Sequence, residues 1–219
     1  MTYTWSWNYV WEFMPKLLGA FPITLEATAL SSVLALLLGL VLALLKRSDR
    51  LIVSAPITMA SEFVRRTPVL VQLYFIFYVF PTLGLTLTAL AAGVLTLGIH
   101  YGTYTAETYR AGIDAVPRGQ WDATRALSMR RRRTWLNVII PQALPGIAAA
   151  QGSWVILLFK QTALLSAITV QELLGVSQQI GSEHFAYLEP TVIVGILYFA
   201  ASYPASVAVR LYERRVAHR

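Results

Sequence analysis

Apolar residues in this chain come in long blocks separated by polar stretches. Phe21 to Leu45 is 25 residues with no Lys or Arg. About 20 apolar residues cross a bilayer as a helix, so this block predicts a first membrane span. Lys46, Arg47 and Arg50 close it, and Glu26, near its start, is expected at the interface. Val69 to Phe80 is strongly apolar but only twelve residues long, about 18 Å of helix and too short to cross. Extending it back to Ala55 gives enough length but brings in Glu62, Arg65 and Arg66. A charge facing lipid at that depth costs at least about 2.5–3.5 kcal/mol. These groups are therefore expected to face a protein interior or a watery cavity, or the helix is displaced toward one interface. Pro68 is expected to kink this second span, and Pro81 and Gly84 close it.

A third span is predicted from about Thr86 to Thr108. Its Gly93, Gly98 and Gly102, with Ala91 and Ala92, suit close helix packing in lipid. His100 and Glu107 fall in its second half, and His100 is read as a packing residue. A polar island follows, from Glu107 to Pro141. Within it Pro117 and Gly119 break the chain, Gln120 to Met129 can form one short helix, and Pro141 and Pro145 are expected to break it again. The fourth span is predicted at Gly146 to Leu165, with Lys160 and Gln161 near its far end. A polar loop covers Ser177 to Glu189, and a fifth span runs from Thr191 to Leu211. The fold class expected is an all-α integral membrane protein of five spans. It comprises an interfacial N-terminal segment (1–20), one transmembrane domain (21–215) and a short tail (216–219).

Composition agrees with the pattern. The chain is 56% hydrophobic and only 13% charged, where a soluble domain carries about 25% charged residues. Its first twenty residues are aromatic-rich and lack a basic region, which fits a segment at the interface better than a cleaved signal peptide. With no cysteine, disulfide frameworks and thiolate metal sites are excluded; His100, His184 and His218 are too scattered to suggest a metal site.

The net charge of +7 changes the picture through its distribution. If the spans alternate, the loop after the first span, the island and the C-terminal end share one side. Together these hold 14 Lys and Arg, while the opposite side holds only Lys16. The positive-inside rule then puts the N-terminus outside and the island and C-terminus in the cytoplasm. The basic balance is thus a membrane-topology signal, and no nucleic-acid partner is expected.

The island carries more than an anchoring loop needs. Seven of the eighteen basic residues lie in it: Arg110, Arg118, Arg125 and the block 130–133. Its short helix has small residues at Ala123 and Ala126 that let another surface approach, and Asp122 near its start suits the helix dipole. Residues alone leave two readings, a docking helix for a soluble partner or plain anchoring.

The island resembles the Glu-Ala-Ala loop of ABC importer permeases. That pattern is Glu-Ala-Ala, three residues, Gly, nine residues, Ile, one residue, Leu, Pro. Here it reads Asp122-Ala123-Thr124, then Ser128, then Val138, Ile140 and Pro141 at the same spacings. Asp, Ser, Val and Ile are conservative replacements, and Thr124 stands for the second Ala. Other segments resemble the permeases of polar amino-acid importers. Arg65-Arg66-Thr67-Pro68-Val69-Leu70-Val71-Gln72 is similar to their Arg-Gly-Thr-Pro-Leu-Leu-Val-Gln. Glu107 to Ile113 is similar to Glu-x-x-Arg-Gly-Gly-Ile, and Ile140 to Leu144 to their Leu-Pro-Gln-Ala run. Lys160-Gln161-Thr162-Ala163-Leu164 resembles Lys-Asp-Thr-Ser-Leu, and Val170 to Leu173 resembles Val-x-Glu-Leu.

The resemblance implies a type I ABC importer permease with a coupling helix at 118–129, inside a coupling loop of about 107–141. It implies a second permease subunit, identical or paralogous, two ATPase subunits and an extracytoplasmic solute-binding protein, in a bacterial cytoplasmic membrane. Gly119, Asp122, Ala123 and Ser128 are the expected ATPase contacts. ATP and Mg would be bound by the partner. This chain has no phosphate-binding Gly-x-x-x-x-Gly-Lys-Ser/Thr loop, so no cofactor and no enzymatic activity are expected in it. The expected cargo is a polar amino acid or related small zwitterion, with ectoine or an opine open.

An amino-acid zwitterion asks for a cation and an acceptor within the membrane. Arg66 and Lys160 are candidates for the first, Glu62 and Gln161 for the second. The alternative for Glu62, Arg65 and Arg66 is that they pair with one another and support packing. Gln161 stands where the family pattern has Asp, which leans away from Arg or Lys as cargo. A membrane anchor or scaffold, or a membrane-embedded enzyme, are the competing classes. The second finds no acid–base cluster to support it.

Overall fold

The computed structural model describes residues 5–217; His218, Arg219 and the first four residues of the N-terminal segment lie outside the described residues. The described residues are helical throughout, with short breaks. The elements are α1 (Trp7–Lys46), α2 (Leu51–Arg66), α3 (Val69–Tyr74), α4 (Ala89–Asp114) and α5 (Arg118–Ala126). They continue with α6 (Arg131–Arg133), α7 (Ile140–Gln161), α8 (Leu173–His184) and α9 (Leu188–Ala217).

Three helical stretches are long and apolar enough to cross a membrane: Trp7–Lys46, Arg131–Ile168 and Leu188–Val216. A fourth is added if α2 and the stretch Val69–Leu83 count together, although they are bent by 103°. The 26 residues of α4 are long enough, about 39 Å, but richer in Thr, Tyr and Gly.

The expected N-terminal segment is not a separate element. Its helix runs from Trp7 without interruption through Pro15 and Pro22 to Lys46. Phe13, Leu17 and Ala20 are buried against Leu173, Ile180 and Val194 of α8 and α9, which holds this extension in place. The expected polar loop at Ser177 to Glu189 is largely helix. Gly175 and Gly181 of α8 are buried, and a side chain at Gly175 would collide with the Val170 carbonyl at 2.2 Å.

The prolines behave in two ways. At Pro68 the expected kink is a sharp reorientation. Thr67 is extended (φ −97°, ψ 139°), as residues before proline tend to be, so α2 ends at Arg66. Gln72 Nε2 donates to the carbonyls of Val64 (2.7 Å) and Thr67 (3.1 Å) that the bend frees. Pro141 and Pro145, by contrast, do not break the chain. A π-helical turn over Thr134–Ile139 leads directly into α7. Gln142 Nε2 donates to the Val138 carbonyl at 2.9 Å beside the first proline. Freed backbone groups in such helices are tolerated where turns of this kind and side chains satisfy them again.

The packing of α1 on α4 forms the spine, and here the small residues act as anticipated. Gly98 lies under Leu34 and Gly102 under Leu38, while Gly93 faces Leu165 beyond α7. A Cβ at Gly39 would meet Thr105 Oγ1 at 1.8 Å. Thr105 Oγ1 instead donates to the Ala35 carbonyl at 2.7 Å, a hydrogen bond across the helix pair. His100 is buried in this region, against Tyr101 and Tyr104 and 3.3 Å from Gln72 Oε1.

Candidate functional site

One end of the bundle gathers the polar island, the end of α1 and both ends of α2. Leu51 of α2 follows Lys46 after four residues. Arg65, at the other end of α2, lies 3.9 Å from Glu107 Oε1, which also receives Lys46 at 2.8 Å. Since α2 starts and finishes beside the end of α1, it runs along this end of the bundle and not through it. Its exposed Leu51, Ile52, Met59 and Phe63, with only Ser61 buried, are the surface of such a helix.

Glu107 is the hub of an ion-pair network joining three helices. Besides Lys46 and Arg65 it takes Arg110 at 3.0 Å. Asp114 extends the network, with Arg47 at 2.5 Å and Arg110 at 3.1 Å. The Lys46 side chain is only 4% exposed, so Glu107 neutralises a nearly buried ammonium. Sequence reasoning did not select Lys46 or Glu107 as a pair. The spacing of Glu107, Arg110 and Asp114 on one helix face was a usable signal.

Helix α5 is pinned above this network from one side. Trp121 packs edge-on against Trp135, with ring centroids 5.3 Å apart and planes at 81°. Thr124 is buried, its hydroxyl donating to the Trp121 carbonyl at 2.8 Å. Val116, Ile139, Ala143 and Ile147 complete the small core beneath. Gly119, Asp122, Ala123 and Ala126 follow the i, i+3, i+4, i+7 spacing of a single helix face, and all four are exposed. Trp121, Thr124 and Arg125 occupy the opposite face.

Helix α5 spans Arg118–Ala126 and so ends short of Met129. The reason is Ser128, whose φ of 48° is left-handed. Met129 N–H donates to the Thr124 carbonyl at 3.0 Å and Ser128 N–H to that of Arg125 at 2.9 Å. This is the helix-ending motif that glycine favours, and it accounts for a glycine in the family pattern at this position.

The four candidate pathway residues do not converge. Glu62 pairs with Arg65 and, at 3.1 Å, with Arg66, so these three groups satisfy one another. Lys160 lies apart on α7. It lines a cavity of about 210 Å³ with Ser153, Ser206 and Arg210, the last two from α9. Among the described residues no carboxylate pairs with Lys160, and Gln161 beside it is half-buried. No cluster of metal-ligating side chains occurs among the described residues.

Comparison with known proteins adds a family. The family model described as "Binding-protein-dependent transport system inner membrane component" matches residues 35–218. The chain is 36% identical to the probable amino-acid ABC transporter permease protein y4tG of Sinorhizobium fredii, covering 97% of this chain and 95% of the relative. It is 34% identical to the L-cystine transport system permease protein TcyB of Bacillus subtilis, covering 96% and 93%. The crystal structure of an amino acid ABC transporter with histidines superposes with a TM-score of 0.92 at 34% identity, covering 97% of this chain and all of that one.

Proposed function

The chain belongs to the family of binding-protein-dependent transport system inner membrane components, as the permease subunit of an amino-acid ABC transporter, and from that premise we propose how it is seated, coupled and loaded. It is a multi-pass inner-membrane protein, and ATP is hydrolysed by a partner ATPase, with no cofactor site expected in this chain. The finer assignments are our own.

The chain spans the membrane five times: α1, the stretch Val69–Leu83 that follows the bend after α2, α4, the stretch Arg131–Ile168, and α9. The N-terminus faces outward and the C-terminus the cytoplasm, as the 14-to-1 distribution of basic residues supports. The permease works as a pair, with two ATPase subunits below and a solute-binding protein outside. The observation that carries the coupling assignment is the two-faced α5. Trp121 and Thr124 fix one face, and Gly119, Asp122 and Ala123 present a small, polar, exposed face on the other. A rigid short helix held this way transmits a push from the ATPase as a rigid-body motion of the spans. Ser128 sets where that helix ends.

The cargo is a polar amino acid or a related small zwitterion. Cystine, named for the Bacillus relative, is of this class. Lys160 and Gln161 are assigned to the pathway, since an unpaired ammonium on a spanning helix is a functional group by default. Glu62 and Arg66 are assigned to the joint between α2 and α3, because each already has a partner.

Two measurements test the proposal. Ala123→Trp should abolish co-purification of the ATPase and uptake while the permease still assembles in the membrane; retained ATPase binding rejects the coupling face. Lys160→Ala and Gln161→Ala should change the affinity or rate of uptake, and unchanged kinetics in both remove them from the pathway.

A further inference from the structure

A cavity of about 1080 Å³ lies between the end of α1 with its following turn and the inner face of α5. Four arginines line it, Arg47, Arg50, Arg125 and Arg131, with Asp49 the one acidic residue of the lining. Arg47 is held by Asp114 and stacks over Trp135 at 5.7 Å, and Arg125 reaches Asp122 at 3.4 Å. Arg50 and Arg131 have no ion-pair partner among the described residues. The cleft therefore carries uncompensated positive charge in forks suited to a phosphate.

Its apolar surroundings identify the phosphate's carrier. The α1 wall of the cleft continues into Leu37, Leu40, Val41 and Leu44, which face outward 43–62% exposed on one helix face. On the other side of Arg50, Leu51 and Ile52 are 79% and 85% exposed. Guanidinium groups directly joined to exposed aliphatic stripes are the chemistry of a headgroup–acyl boundary. The ATPase is a poorer occupant. The proposed coupling residues Gly119, Asp122 and Ala123 lie on the face of α5 turned away from the cleft.

The geometry points to a specific binding site for an anionic phospholipid, its phosphodiester between Arg50 and Arg131 and its acyl chains along α1 and α2. The site joins the membrane to the back of α5. It goes beyond the transport reading and needs only that this end of the bundle lies at headgroup level.

The test uses the complete transporter with its ATPase, purified in detergent and titrated with phosphatidylglycerol, phosphatidylcholine or inorganic phosphate, with bound lipid counted by native mass spectrometry. Wild type should retain phosphatidylglycerol over phosphatidylcholine. Losing two basic groups, R50Q with R131Q, should weaken retention about thirtyfold. R132Q with R133Q removes the same charge beside Arg131 but outside the cleft and should leave retention nearly intact. R50K with R131K, which keeps the charge and guards against a folding defect, should fall between. Equal loss in both glutamine pairs would reduce the site to a diffuse basic field and overturn the proposal. So would full retention in R50K with R131K should R50Q with R131Q fail to assemble, displacement of the lipid by an equal concentration of inorganic phosphate, or retention by the permease only when the ATPase is removed.

Discussion

Glu107 and Glu172 lie far apart in the bundle, about 33 Å along α1 if measured from Lys46 to Thr24, and are held by different means. Glu107 is one quarter exposed and answers to three cations from three helices, Lys46, Arg65 and Arg110. Glu172 is fully buried, and among the described residues no cation pairs with it. It accepts from the Tyr198 hydroxyl at 2.8 Å and from the Gly175 N–H at 2.7 Å, capping α8. Tyr198 also meets Thr162, and the Leu173 N–H donates to Thr24, so the cap ties α1, α8, α9 and the turn that follows α7 together. Ion pairs on long, flexible arms keep their energy over small displacements. A capped helix end bonded to a phenol does not. The polar end therefore tolerates a small shift better than the Glu172 network does, the asymmetry that the proposed drive from the α5 side would need.

The contrast breaks most visibly at Glu172. Replacing it with Ala leaves the Tyr198 hydroxyl and the Gly175 N–H without their acceptor in a packed region. Each such orphan costs about 1–3 kcal/mol, so Glu172→Ala should lower the melting temperature of the purified complex sharply and reduce its yield. Glu172→Gln, which keeps an acceptor, should lose much less. If Glu172→Ala melts with the wild type, the far end is not locked by this network.

Glu107→Gln is the matching change at the other end. Lys46 is left nearly buried with its counter-charge gone, but partial exposure and the remaining Asp114 cushion the effect to about 1–2 kcal/mol. Its diagnostic is salt. Wild-type stability should fall with added salt as the network is screened, and that slope should flatten in Glu107→Gln and persist in Glu172→Gln. An unchanged slope in Glu107→Gln would mean that the network contributes nothing to holding the helices.

Both acids stand in motifs that the sequence displayed, yet their opposite environments were not visible there. The placement of the apolar blocks, the end of α1 at Lys46 and the use of Gly98 and Gly102 against Leu34 and Leu38 followed from hydropathy and residue size. What proline does was not readable, because it depends on what satisfies the freed carbonyls. At Pro68 the side chain of Gln72 folds back and stabilises a 103° turn. At Pro141 a π-helical turn absorbs the change and the helix continues. The polar face of α8 read as loop because its buried residues are small: Gly175, Ser177 and Gly181 give little hydropathic signal. On α5, Asp122 and Ala123 were chosen for their likeness to a family pattern. The reason they are free to make contact, the Trp121–Trp135 clasp on the opposite face, needed the fold.

The smallest expected effect concerns Ser128, and it asks whether the shifting end carries local strain. A non-glycine residue in the left-handed region costs about 1–2 kcal/mol, and glycine gives back part of that gain through its looser unfolded chain. Ser128→Gly should therefore raise stability by about 1 kcal/mol, read as a modest upward shift in melting temperature. The hydroxyl is exposed, so if its role is only to end α5, ATPase co-purification and uptake should match wild type. A gain in stability together with lost coupling would instead make the serine hydroxyl a contact in its own right. A loss of stability would mean that the left-handed turn after α5 is supported by something other than backbone geometry, and the contrast between an adjustable end and a locked one would no longer extend to α5, the proposed coupling helix.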